Sequence, residues 1–118
     1  YTSSSGLVRY QHENAFILAK GAPRPPEFLI GDVIEWTYSR NELHPTQKPL
    51  AVLTPLIESF CPFGGVVLDP FAGSGSTLVA ARLVGRHGIG CELEARVQAV
   101  AVARLGRVRQ LVLRSFGV

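Results

Sequence analysis

Residues 65–85 read GVVLDPFAGSGSTLVAARLVG, and the fold turns on them. Gly65 to Leu68 is an apolar, β-branched run of the kind found in a strand buried on both faces. Ser76 to Val84 has helical spacing and stops at Gly85. Between the two lies Asp69-Pro70-Phe71-Ala72-Gly73-Ser74-Gly75, with two glycines where a strand must turn into a helix. Loops of this kind hold a phosphate, a dinucleotide or some other ligand.

The pattern repeats once downstream. His87 to Cys91 is a second strand candidate, and Glu94 to Leu105 a second helix rich in Ala and Val. Strand, turn, helix, strand, helix is a βαβα unit, so the strands should be parallel with a right-handed crossover. The tail RVRQLVLRSF, residues 107–116, alternates and is assigned a further strand.

Upstream, the regularity falls away. Gln11 to Lys20 carries a short apolar run ended by Gly21 and reads as a strand. Three prolines between Pro23 and Pro26 dictate an extended loop. Asp32 to Tyr38 is a short strand or extended segment, and residues 39–49 are polar and loop-like. Pro49 suits the first turn of a helix carried by Leu50, Leu53, Leu56, Ile57 and Phe60. Pro55 lies inside that pattern and should kink or divide it.

With 118 residues, 47% of them hydrophobic, the chain can fold as one domain with a modest core. Arginines crowd its C-terminal part, where Glu92 and Glu94 are the only acids. The plain reading is solvated helix faces; the sharper one is attraction to a polyanion such as DNA. Cys61 and Cys91 have no metal-ligand spacing, so zinc has no support and two buried free thiols in a reducing cytoplasm are expected. No stretch approaches a membrane span, and no signal-peptide pattern opens the chain.

The chemistry of the glycine loop narrows its ligand. A triphosphate loop needs a lysine, and no Lys or Arg lies between Asp69 and Ala81. A dinucleotide fingerprint needs a third glycine where Leu78 stands. An acid at the end of the second strand would accept from ribose hydroxyls, and Glu92 sits there. Asp69 at the end of the first strand would repel a phosphate and suit a cationic group. S-adenosylmethionine combines a ribose and an adenine with a sulfonium and an ammonium. The plainer reading, a tight strand-to-helix turn, needs only Gly73 and Gly75 and leaves Asp69 and Glu92 unexplained.

DPFAGSGST, residues 69–77, resembles cofactor-binding motif I of the DNA amino-methyltransferases, which modify the exocyclic amino group of adenine or cytosine. HPTQKP, residues 44–49, resembles their motif X, and GIGCELE, residues 88–94, their motif II. Motif X before motif I is the β-type order. RYQHENAFILAKG, residues 9–21, is similar to the stretch that follows the catalytic part. The resemblance implies a partial Rossmann-like α/β methyltransferase fold, a βαβα cofactor half plus an N-terminal strand segment. Residues 1–43 would come from the catalytic and target-recognition side, and residues 44–118 would form the S-adenosylmethionine-binding subdomain.

The resemblance further implies that Asp69, Pro70, Phe71, Gly73 and Gly75 line the cofactor pocket, with Phe71 against the adenosine. Thr77 would open the helix at the methionine end, and Glu92 would bind the ribose. His44, Thr46 and Lys48 would close over the methionine moiety, Lys48 facing its carboxylate. A plainer role for HPTQKP is a polar loop with Thr46 capping the next helix, and both roles can hold together.

The family's catalytic motif, Asp/Asn/Ser-Pro-Pro-aromatic, is not found. Pro25-Pro26 lies between Arg24 and Glu27, and Asp69-Pro70 is followed by Phe71. In the β-type order that motif precedes motif X. The chain starts at Tyr1 and contains no Met, so a truncated chain is expected, ahead of a split enzyme or a degenerate remnant. No catalytic residue is therefore assigned. The expected partners are DNA and a missing N-terminal segment or complementary subunit, with a homodimer compatible, in a cytoplasmic restriction–modification setting. The alternatives are a methyltransferase for a non-DNA substrate and a non-catalytic module that binds the cofactor or DNA.

Overall fold

The computed structural model describes residues 12–26, 28–35 and 48–115. Helix α1 spans Leu50–Phe60, strand β1 Val66–Asp69, helix α2 Ser76–Leu83, strand β2 His87–Gly90 and helix α3 Ala95–Ser115. The two strands pair in parallel, Val66 opposite His87 through Asp69 opposite Gly90. This is the expected βαβα unit, preceded by a helix, and it forms a partial Rossmann-like α/β fold.

One face of the sheet carries the core. Ile57, Ala80 and Ala81 are buried together, with Leu50, Leu53, Cys61, Val67 and Val84 packed around them. Leu78 of α2 lies over β2 so closely that a Cβ on Gly90 would come 2.7 Å from its Cδ1 and 2.9 Å from the Ala72 Cβ. A side chain there would have to displace Leu78 or Ala72, and at Gly88 a Cβ would come 3.2 Å from the Leu78 Cα, so glycines let α2 pack close to β2. The opposite face is not covered by any described residue. Val66, Leu68 and Ile89 point there with relative exposures of 59%, 65% and 56%. The expectation of a first strand buried on both faces is thus corrected, because α1 and α2 lie on the same side.

Two further expectations change, and a third is narrowed to its extended alternative. Residues 12–20 are irregular and exposed rather than a strand, Phe16 and Leu18 included. A strand exists only as a hydrogen-bonded pair, and among the described residues none pairs with them. In Asp32–Tyr38, residues 32–35 form no strand and residues 36–38 lie outside the described set. The C-terminal tail continues α3 to Ser115 instead of forming a strand. Its apolar positions Val108, Leu111 and Val112 follow the i, i+3, i+4 spacing of a helix, and Val97, Ala101 and Val108 already stripe one face.

Pro55 neither breaks nor divides α1, which is one 11-residue helix. The carbonyl deprived of a donor belongs to Ala51, an exposed residue where water can serve it. The Thr54 hydroxyl adds a bond to the Leu50 carbonyl at 2.9 Å. Pro49 stands one residue before the helix, and its carbonyl accepts from the Val52 and Leu53 amides. The thiols are less hidden than expected: Cys61 is half-buried and Cys91 exposed. Not every arginine is solvated either. Arg86 donates to the carbonyls of Cys61, Val84 and Glu58 and lies over the Phe63 ring, tying α1 to the turn before β2.

Candidate functional site

The C-terminal ends of β1 and β2 lie side by side, because the strands are parallel and in register. In open α/β sheets ligands bind outside these ends. The residues that follow each strand are held to each other by main-chain bonds. The Cys91 amide donates to the Asp69 carbonyl at 3.0 Å, and the Ala72 amide to the Cys91 carbonyl at 2.9 Å.

Glu92 completes this seam. Its Oε2 accepts from the Gly73 amide at 2.9 Å and its Oε1 from the Glu94 amide at 2.9 Å. The acid after β2 therefore clasps the glycine loop after β1. On the other strand, Asp69 Oδ1 accepts from the Phe71 amide at 3.0 Å, which turns the chain sharply out of the sheet. Pro70 and Phe71 follow on the surface, Phe71 with 89% of its area exposed.

The loop then coils in two left-handed steps, with φ of 53° at Gly73 and 78° at Gly75. Gly75 is the N-cap of α2, and its carbonyl accepts the Val79 amide at 2.9 Å. A side chain there would be strained, and its Cβ would meet the Ala101 Cβ at 2.9 Å. Ser76 rather than Thr77 opens the helix; Thr77 is the second helical residue and half-buried.

Asp69, Pro70, Phe71, Gly73, Gly75, Thr77 and Glu92 thus lie on the segments that leave the C-terminal ends of β1 and β2. The Lys48 ammonium pairs with the Glu13 carboxylate, and both side chains are about half exposed. His44 and Thr46 lie outside the described residues.

Two residues at this edge escape the sequence reading. Leu93 follows Glu92 and is fully exposed. The signal was an apolar residue between two glutamates at a strand's end. Arg104, from the middle of α3, reaches back to the loop. Its Nη1 donates to the Ser74 carbonyl at 2.7 Å, the Ser74 hydroxyl at 3.0 Å and the Ser76 hydroxyl at 3.1 Å. Burial lowers its guanidinium pKa from the ordinary value. The signal was a cation on the stripe of Val97, Ala101 and Val108, where an apolar residue would be usual. Among the described residues no cluster of His, Cys, Asp or Glu could hold a metal ion, and no helix is long and apolar enough to cross a membrane.

A parallel βαβ unit with a double-glycine turn, a carboxylate ending β1 and another just beyond β2 is the pattern of a nucleoside-cofactor α/β protein. The family follows from comparison with known proteins. The DNA methylase family model matches residues 31–103, more than half of the chain. The chain belongs to this family of N6/N4 DNA amino-methyltransferases.

Among its relatives is YubD of Escherichia coli (strain K12), which bears a provisional methylase designation. It is 51% identical over 110 residues, 93% of this chain and 48% of YubD. The type II methyltransferase M.HindIII of Haemophilus influenzae is 48% identical over 63 residues, 53% of this chain and 20% of the enzyme. The crystal structure of the M1.HpyAVI–SAM complex matches with a TM-score of 0.54 at 38% identity, over 58% of this chain and 34% of that one. The chain thus spans about half the length of YubD and a smaller share of the others.

Proposed function

We propose that residues 44–118 form the S-adenosylmethionine-binding subdomain of a DNA methyltransferase that modifies the exocyclic amino group of adenine or cytosine. Residues 1–43 then belong to its catalytic and target-recognition side. The observation that carries the reading is the Glu92 clasp, which joins the glycine loop to the end of β2 where a nucleoside would lie.

The residues fit the cofactor. The turn from Gly73 to Gly75 lets backbone approach the ligand without side chains in the way. Glu92 would receive the ribose hydroxyls in place of, or beside, the amides it now accepts. Phe71 and Leu93, both exposed and apolar at the same edge, would flank the adenine. Asp69 would stand toward the cationic amino-acid end. His44, Thr46 and Lys48 would close over the methionine moiety, with Lys48 leaving Glu13 for the ligand's carboxylate. When bound, the cofactor supplies an electrophilic sulfonium methyl. The chain's own share is to bind and orient that group, since a positioned reactant lowers the barrier more than raw affinity does.

Presenting the acceptor nitrogen requires an Asp/Asn/Ser-Pro-Pro-aromatic segment, and the 118 residues contain none. We therefore assign transfer to the chain together with polypeptide that carries such a segment, in the same chain or as a complementary subunit. The open face of the sheet, with Val66, Leu68 and Ile89, is where that polypeptide would pack. The same missing motif favours one second reading, a module that binds the cofactor without transferring its methyl.

Isothermal titration with S-adenosylmethionine tests the proposal. Saturable binding by the folded chain, weakened in Glu92→Gln, is expected; no binding by a folded chain contradicts it. Transfer of labelled methyl to DNA should appear only when a polypeptide with the catalytic motif is supplied. If none restores it, the module reading stands.

A further inference from the structure

We infer that Arg104 is a positioning residue for the methyl-donor loop, setting the shape of Gly73–Ser76 from the far side of the loop. The inference rests on the proposed cofactor role and names a residue outside all three motifs.

The loop has two supports. On the ligand side the Glu92 carboxylate holds the Gly73 amide. On the α3 side one guanidinium nitrogen gathers the Ser74 carbonyl and the hydroxyls of Ser74 and Ser76. Both serines are buried, 4% and 6% exposed, so these polar groups depend on protein partners. One turn earlier on α3, Ala101 occupies the space that a side chain at position 75 would need. Helix α3 therefore touches the loop at two points, an apolar one at Gly75 and a cationic one at Ser74 and Ser76.

The placement of the cation is informative. A positive charge beside the N-terminus of α2 opposes that helix's dipole, and a half-buried guanidinium is costly to desolvate. A helix docked only for stability would place an apolar residue there, as at Ala101 and Val108. The two N–H groups of Nη1 instead serve three acceptors between them, the Ser74 carbonyl and the Ser74 and Ser76 hydroxyls. Those donors hold in one arrangement a turn that contains two left-handed glycines and is free to adopt others. Arg104 acts on the ligand through the loop, since among the described residues its hydrogen bonds go to Ser74 and Ser76.

The test compares wild type with Arg104→Ala, Arg104→Lys and Val108→Ala, titrating S-adenosylmethionine and 5′-methylthioadenosine, which lacks the amino-acid end. Loop positioning predicts that Arg104→Ala weakens both ligands by about tenfold or more, with partial recovery in Arg104→Lys. Val108→Ala, buried on the same helix face, should lower thermal stability and leave both affinities unchanged. If wild type binds and Arg104→Ala binds equally well, the inference fails while the cofactor reading stands. If only S-adenosylmethionine is weakened, the guanidinium meets the amino-acid end directly and the inference also fails. If the folded wild type binds neither ligand, both readings fall. Should Arg104→Ala not fold, Ser76→Ala removes one acceptor and must show a smaller loss for both ligands; unchanged affinities there overturn the inference.

Discussion

The two faces of the β1–β2 sheet are made of similar strand residues and meet different fates. On one face Val67, Gly88 and Gly90 lie beneath α1 and α2, with Leu78 pressed onto both glycines. On the other, Val66, Leu68 and Ile89 are apolar and more than half exposed. Parallel sheets are normally covered on both faces, since each crossover lays a helix against them. Among the described residues, then, one face is a core and the other is left open, the face on which the proposed polypeptide would pack. The contrast also explains why the loop edge is well ordered by contacts: the covered face anchors α2, and α2 anchors the glycine turn.

Substitutions can break this contrast. Leu78→Ala should have the largest effect, about 3–4 kcal/mol in urea unfolding, because it empties the contact between α2 and β2. Gly90→Ala should cost about 1–3 kcal/mol, since the new methyl must displace Leu78 or Ala72. On the open face, Leu68→Thr and Ile89→Thr should each stay within about 0.5 kcal/mol in this chain. In a longer polypeptide that covers the face, the same changes should cost about 2 kcal/mol or more. A large cost already present in the 118 residues would mean that the face is covered from within. Smallest of all, Lys48→Ala should shift stability by no more than about 0.3 kcal/mol, since an exposed ion pair contributes little.

The sequence made the central unit legible because several local signals agree there. The apolar run before Asp69, the double glycine, the helical spacing from Ser76 and the glutamate after β2 all point to one topology. The sequence puts Glu92 at the end of β2 for a ribose, while its bonds to the Gly73 and Glu94 amides depend on how closely the strand ends approach. The misses share a physical cause. Strand formation at residues 12–20 and burial of both faces of β1 depend on partners that local pattern cannot supply. The tail was read by alternation, while the stripe of Val97, Ala101 and Val108 extended the helix. Arg104 stayed hidden because its contacts lie about 30 residues away, at Ser74 and Ser76.

In the proposed function the edge beyond Asp69 and Gly90 holds S-adenosylmethionine and the open face takes polypeptide. A two-dimensional amide NMR titration with the cofactor reads both regions at once. The account predicts saturable shifts at Phe71, Gly73, Gly75 and Leu93, with Val66 and His87 left in place. A folded chain whose loop amides do not move, or whose shifts centre on the open face, would contradict it.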